Sequence, residues 1–347
     1  MKPISLDEKY LLPSGRIYVT GSRPLARLPL EQARRDAAQG RNTAGFISGY
    51  RGSPLGIYDM ALWQAERHLS DNRIRFQPGV NEDLAATAIW GSQQVPLLDD
   101  ARHDGVFAMW YGKGPGVDRS ADVLKHGSFA GSNPHGGVLV LCGDDHAARS
   151  STLAHQSDHA FVHFGMPLLH PANIQEYLDF GLLGFALSRF SGCWVGFKCV
   201  TDTVDGSASI LVDPARAMPV LPDDFEMPAG GLGIRFEIAM LQTEARLFEL
   251  RHAAARAFAR ANRLDSQRLG AAQGRKRLGI VTTGKSYLDV MEALARLGID
   301  EASAAALGLG VFKVGMVYPL EPEAITAFAQ DCEELLLIEE KRGFIEE

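Results

Sequence analysis

The stretch N-T-A-G-F-I-S-G-Y-R-G-S-P-L-G (residues 42–56) changes character twice in fifteen residues. Thr43–Gly49 is a short apolar run bounded by turn formers, the pattern of a strand buried on both faces. Tyr50–Pro54 is a tight Gly/Pro turn. A helical pattern over 57–70 follows. Three more runs have the first character: GVFAMWY near Val106, GVLVLCG near Val138 and CWVGFKCV near Val195. Helical patterns over 82–98, 118–129 and 173–190 separate them. This alternation predicts an α/β fold, a parallel sheet with right-handed crossovers.

Farther along, residues 213–232 hold four prolines and read as a loop. A long arginine-rich helix is expected over 236–262, then a polar Gly/Arg-rich linker over 264–277. From Arg277 a second α/β unit begins. Its expected order is the strand RLGIVTTG, a helix over 287–297, the strand VFKVGMVYP, a helix near 321–330 and the strand ELLLIEE. The cut between the units is expected near residue 270. The stop at IEEKRGFIEE, directly after that strand, reads as a fragment of something longer.

The 347 residues suffice for two domains. A net charge of −7 argues against a nucleic-acid binder or an anionic-membrane binder, since neither phosphates nor lipid headgroups would be neutralised. The apolar windows fall short of a membrane span and the first residues lack a secretory signal, so a cytoplasmic location is expected. Cys142, Cys193, Cys199 and Cys332 form no C-x-x-C pair, and no iron–sulfur ligand pattern is present.

Four blocks could carry chemistry. In FQPGVNEDLAATAIWGSQQ (76–94), Asn81 suits an N-cap and Glu82 opens the helix. The positive end of the helix dipole accounts for such an acid on position alone. The small residues Ala85, Ala86, Ala88 and Gly91 behind it would allow close approach by a sheet or a partner. In FISGYRGSPLG (46–56), Gly52, Ser53 and Pro54 sit where α/β proteins place ligands. In MWYGKGPGVDRSADVLKH (109–126), Gly114 and Gly116 precede a helix whose amides could meet an anion, but the spacing is neither a P-loop nor a dinucleotide fingerprint. Lys113, Arg119 and Lys125 are candidates there for a substrate carboxylate. In LCGDDHAARSSTLAHQSDHAFVHFG (141–165), His146, His155, His159 and His163 match no zinc spacing; acid–base service near neutral pH remains open to them.

Taken in order, these four blocks and FGLLGFALSRFSGCWVGFKCVTDTV make the chain resemble the indolepyruvate ferredoxin oxidoreductases, in particular their long fused form, over residues 15–347. The resemblance implies a thiamine-diphosphate enzyme that oxidatively decarboxylates a 2-oxo acid to an acyl-coenzyme A and passes electrons through iron–sulfur clusters to ferredoxin. It implies a pyrimidine-binding domain at 15–235, a helix and linker at 236–274, and a transketolase C-terminal-like domain at 275–347. Glu82 would face the aminopyrimidine of the cofactor. Gly52, Ser53, Pro54, Gly114 and Gly116 would border the cofactor, and Arg51, Ser53, Lys113, Arg119 and His155 the substrate. The match at Tyr50-Arg51-Gly52-Ser53-Pro54 is partial, with Ser53 where the family carries threonine. The magnesium ion and diphosphate would bind a domain outside this chain, as would the 4Fe-4S clusters, so the chain alone would be inactive. The remaining domains or subunits and a second copy are the expected partners. A non-oxidative thiamine enzyme of the decarboxylase or transketolase type, and a non-catalytic dimerisation module, are the alternative readings.

Overall fold

The computed structural model describes residues 5–235, 239–271 and 273–347. Its strands, in chain order, are β1 (Gly15–Thr20), β2 (Thr43–Gly49), β3 (Ile74–Phe76), β4 (Gly105–Lys113), β5 (Val138–Asp144), β6 (Leu168–Leu169), β7 (Val195–Val200), β8 (Ser207–Val212), β9 (Ser266–Leu269), β10 (Lys276–Thr283), β11 (Leu309–Val314), β12 (Met316–Tyr318) and β13 (Cys332–Ile338). The principal sheet has the order β12-β6-β7-β5-β4-β2-β3 and is parallel except for β12. A smaller sheet has the order β13-β10-β11-β9, with β9 antiparallel. β1 and β8 form a separate antiparallel pair.

The central strands are buried along their whole length, which is why they read as unbroken apolar runs. Successive residues of β4 feed opposite sides of the sheet. Phe107, Met109 and Tyr111 join one core with the helices Ser22–Ala38 and Ile174–Ser191, whereas Ala108 and Trp110 join another with the helix Glu82–Gln93. Val281, Phe312 and Phe328 of the C-terminal unit belong to that second core as well.

Five expectations need correction. The polar segment 264–277 is not all linker, because Ser266–Leu269 pairs with β11. An edge strand needs few apolar residues, and here only Ser266 and Leu269 are buried. VFKVGMVYP is not one strand. Its first half lies in the small sheet, and past Gly315 its second half pairs with β6 of the principal sheet. Asp265 makes the crossing possible: its Oδ1 accepts the amide protons of Gly315 (2.7 Å) and Met316 (2.9 Å), satisfying donors that have left one ladder for another. Burial pushes this carboxyl up to about 7, against the pull of those two amides. The pattern over 82–98 ends as a helix at Gln93 and continues only as a single 3-10 turn, and the one over 118–129 is two helices, Gly114–Arg119 and Ala121–Ala130. Finally, the arginine-rich helix begins at Met240 and runs to Ala261 through a widened π turn at Arg246–Arg251; residues 236–238, where its start was expected, lie outside the described residues.

Candidate functional site at the carboxyl edge of the sheet

Because β2, β3, β4 and β5 are parallel neighbours, the connections after them (50–57, 77–81, 114–120 and 145–157) emerge side by side. This edge is where open α/β sheets bind ligands. Gly-rich chemistry lets these connections touch. A Cβ on Gly52 would lie 2.9 Å from the Lys113 side-chain stem, and one on Gly114 would lie 2.0 Å from His155 Nδ1. The Ser53 hydroxyl is hydrogen-bonded to that of Ser150, and the buried Pro54 follows it.

Glu82 is the first residue of its helix, and its place there is fixed twice. Asn81 Oδ1 accepts the Leu84 amide proton at 2.9 Å, as expected of an N-cap. The indole N–H of the fully buried Trp110 donates to the Glu82 carbonyl at 3.1 Å. The carboxyl, 14% exposed, lies over the start of the helix Gly114–Arg119. A Cβ on Gly116 would come within 2.8 Å of its Cγ and 3.0 Å of Oε1, so only glycine leaves that carboxyl its room. Trp110 went unnoticed in the sequence, although a tryptophan inside a buried strand needs an acceptor for its N–H.

The small residues behind Glu82 do not form one face. Ala85, Ala86 and Ile89 are buried, while Ala88 and Gly91 are exposed. Arg119 is not free for a substrate: its Nε lies 3.1 Å from Asp83 Oδ1 and 3.8 Å from Glu82 Oε2. Lys113, by contrast, makes no ion pair among the described residues. Arg51 is exposed on the turn, near Asp59, and Lys125 lies away from the turn, over the Phe129 ring.

His155 has both ring nitrogens engaged. Nε2 meets Asp118 Oδ2 at 2.9 Å; Nδ1 lies 3.3 Å from the Ser157 hydroxyl and 3.7 Å from Asp144 Oδ1. The Asp144 carboxylate, against partial burial and with help from Asp118, raises the pKa of this imidazole. The ring ties the 145–157 connection to the helix Gly114–Arg119, and these two carboxylates favour its protonated form. A raised folded-state pKa contributes stability that is complete below the unfolded value of about 6.5 and is lost as pH rises through the folded value. His155→Asn is accordingly expected to lower the melting temperature at pH 6, with the gap to wild type closing toward pH 9. A gap independent of pH would remove the cation from this role.

The other histidines part company. His146 Nδ1 meets Glu340 Oε2 at 3.2 Å, the His159 ring packs edge-on against Phe344, and His163 is exposed. Among the described residues no three His, Cys, Asp or Glu side chains are grouped to hold a metal ion, and no helix is long and apolar enough to cross a membrane.

Residues 268–347 match the sequence profile of the indolepyruvate oxidoreductase domain. The chain is 23% identical over 338 residues to the indolepyruvate oxidoreductase subunit IorA of Methanothermobacter marburgensis, covering 95% of this chain and 48% of that one. It is 25% identical over 343 residues to IorA of Pyrococcus abyssi, covering 96% and 47%. It thus spans about half the length of the curated relatives it matches. Among solved structures, the 2-oxoglutarate:ferredoxin oxidoreductase of Magnetococcus marinus, with 2-oxoglutarate, coenzyme A and succinyl-CoA bound, superposes with a TM-score of 0.65 at 14% identity, over 94% of this chain and 58% of that one. That likeness is one of fold.

Proposed function

We propose that this chain, which belongs to the indolepyruvate oxidoreductase family, forms the aminopyrimidine-facing half of a thiamine-diphosphate site in a 2-oxoacid:ferredoxin oxidoreductase. The observation that carries the reading is the Glu82 carboxyl, held at the carboxyl edge of a parallel sheet over a glycine that makes room for it. The residues present suit a thiamine ring in their chemistry, since a largely buried carboxyl, given its room by Gly116, could hold a proton at a ring nitrogen. When bound, the cofactor would supply the electron sink for decarboxylation. The chain's own part is to orient and to hold one proton. Glu82 presents it. Gly52, Ser53 and Pro54, with Gly114 and Gly116, shape the walls. Lys113, which makes no ion pair among the described residues, is the cation proposed to receive a substrate carboxylate.

In this reading residues 15–235 are the pyrimidine-binding domain and 275–347 a transketolase C-terminal-like domain. The diphosphate, its magnesium ion and the 4Fe-4S clusters belong to other parts of the enzyme. The substrate is a 2-oxo acid of the indolepyruvate type, with coenzyme A and ferredoxin as co-substrates, in a cytoplasmic dimer. The complete enzyme, stripped of thiamine diphosphate and assayed with indolepyruvate, coenzyme A and a viologen dye, is expected to reduce the dye only when the cofactor and coenzyme A are restored. Carbon dioxide release without dye reduction would replace this reading with a non-oxidative one, and no response to the cofactor would end it.

A further inference from the structure

Arg119 lies between two neighbouring carboxylates and treats them unequally. Its Nε is within hydrogen-bond reach of Asp83 Oδ1 (3.1 Å) but beyond it from Glu82 Oε2 (3.8 Å). The inequality follows from the helix. Residues at i and i+1 diverge around the axis, so Glu82 turns into the mouth at 14% exposure while Asp83 stays at the rim at 37%. The arginine ends the short helix whose Gly116 backs the Glu82 carboxyl. Without Asp83, the anion nearest the guanidinium would be Glu82. A charge-assisted pair there would occupy the oxygens that a cofactor ring would need free.

We infer that Asp83 is a positioning residue that holds Arg119 out of hydrogen-bond reach of Glu82, keeping that carboxyl available to the cofactor ring. The inference rests on the reading of Glu82 given above. It assigns the acidic pair Glu82-Asp83 two different tasks, one toward the ligand and one toward the protein.

The test is a cycle in the complete enzyme: Asp83→Ala, Arg119→Gln and both, with thiamine diphosphate affinity read by calorimetry and turnover by dye reduction. Asp83→Ala is expected to weaken cofactor binding by about five- to tenfold. The double variant is expected to return to the affinity of Arg119→Gln alone, because the offending cation is gone. A purely structural role predicts otherwise: a helix-start acid lost from the dipole lowers the melting temperature, and removing Arg119 does not rescue it. Asp83→Asn, which keeps the shape, replaces Asp83→Ala in the cycle if the latter does not fold. Unchanged affinity in the Asp83 variant, or a double variant as impaired as the Asp83 single, overturns the inference. If Glu82→Gln abolishes turnover while Asp83→Ala is silent, only the role of Asp83 falls. If cofactor binding ignores Glu82 as well, the underlying reading falls with it.

Discussion

Glu82→Gln in the complete enzyme is expected to lower 2-oxo acid oxidation by about 10²–10⁴-fold while leaving the fold and its melting temperature close to wild type. The amide matches the carboxyl in shape. It keeps an oxygen toward Gly116 and disturbs neither the Asn81 cap nor the Trp110 hydrogen bond, which goes to the main chain. What it cannot do is hold a transferable proton at a ring nitrogen. Arg119 retains Asp83 as its partner, so no unpaired cation is left behind. Asp83 is no substitute, for it already holds that arginine at the rim. Steady-state dye reduction with thiamine diphosphate at saturation, set beside calorimetric binding, separates loss of the proton from loss of the ligand. Wild-type turnover in the glutamine variant would exclude Glu82 as the activating acid.

The parts of this architecture that were legible in the sequence share a cause. β4, β5 and β7 are covered on both faces, so burial wrote itself as apolar runs, and the Asn81–Glu82 boundary announced itself through a cap whose hydrogen bond is local. What was not legible depends on partners distant in the chain. β9 is polar because an edge strand has little to bury. The break of VFKVGMVYP at Gly315 is imposed by Asp265, 50 residues earlier. Arg119 read as a substrate cation because its partner Asp83 lies 36 residues away, and Ser53 meets Ser150 across 97 residues. One signal was present and unused. A single lysine inside CWVGFKCV puts a charge in a strand buried on both sides, and such a charge requires a partner.

That lysine gives the largest expected loss of stability. Lys198 is 3% exposed; its Nζ lies 2.5 Å from Asp158 Oδ2 and 3.7 Å from Asp144 Oδ2, and those side chains are 4% and 0% exposed. Burial opposes ionisation of Asp144, but His155, Lys198 and Ser157 outweigh it and hold the carboxyl well below the usual range. Lys198, with a lesser contribution from His170, also lowers the pKa of Asp158 against the same opposition. Lys198→Met strips buried Asp158 of its cation and leaves buried Asp144 with His155 alone, a change of about 3–5 kcal/mol, against a total of about 5–15 kcal/mol for a typical domain. In the wild type both acids have depressed folded-state pKa values. Their contribution is present above the unfolded value of about 3.9 and is lost only as pH falls through the folded values. In the variant the sign reverses at Asp158: a buried carboxyl without its cation titrates above the unfolded value, so its protonation favours the fold. Melting temperatures are therefore expected to differ most near pH 8 and to converge as pH falls toward 5. Adding Asp158→Asn should recover part of the loss, since it removes the stranded charge. The consequence reaches the site, because Asp144 also accepts from the Ser157 amide and hydroxyl and faces His155. A variant that stays folded with Asp144 protonated should lose the pH dependence attributed above to His155, and a gap constant from pH 5 to 8 would show that Lys198 is not the counter-charge of this network.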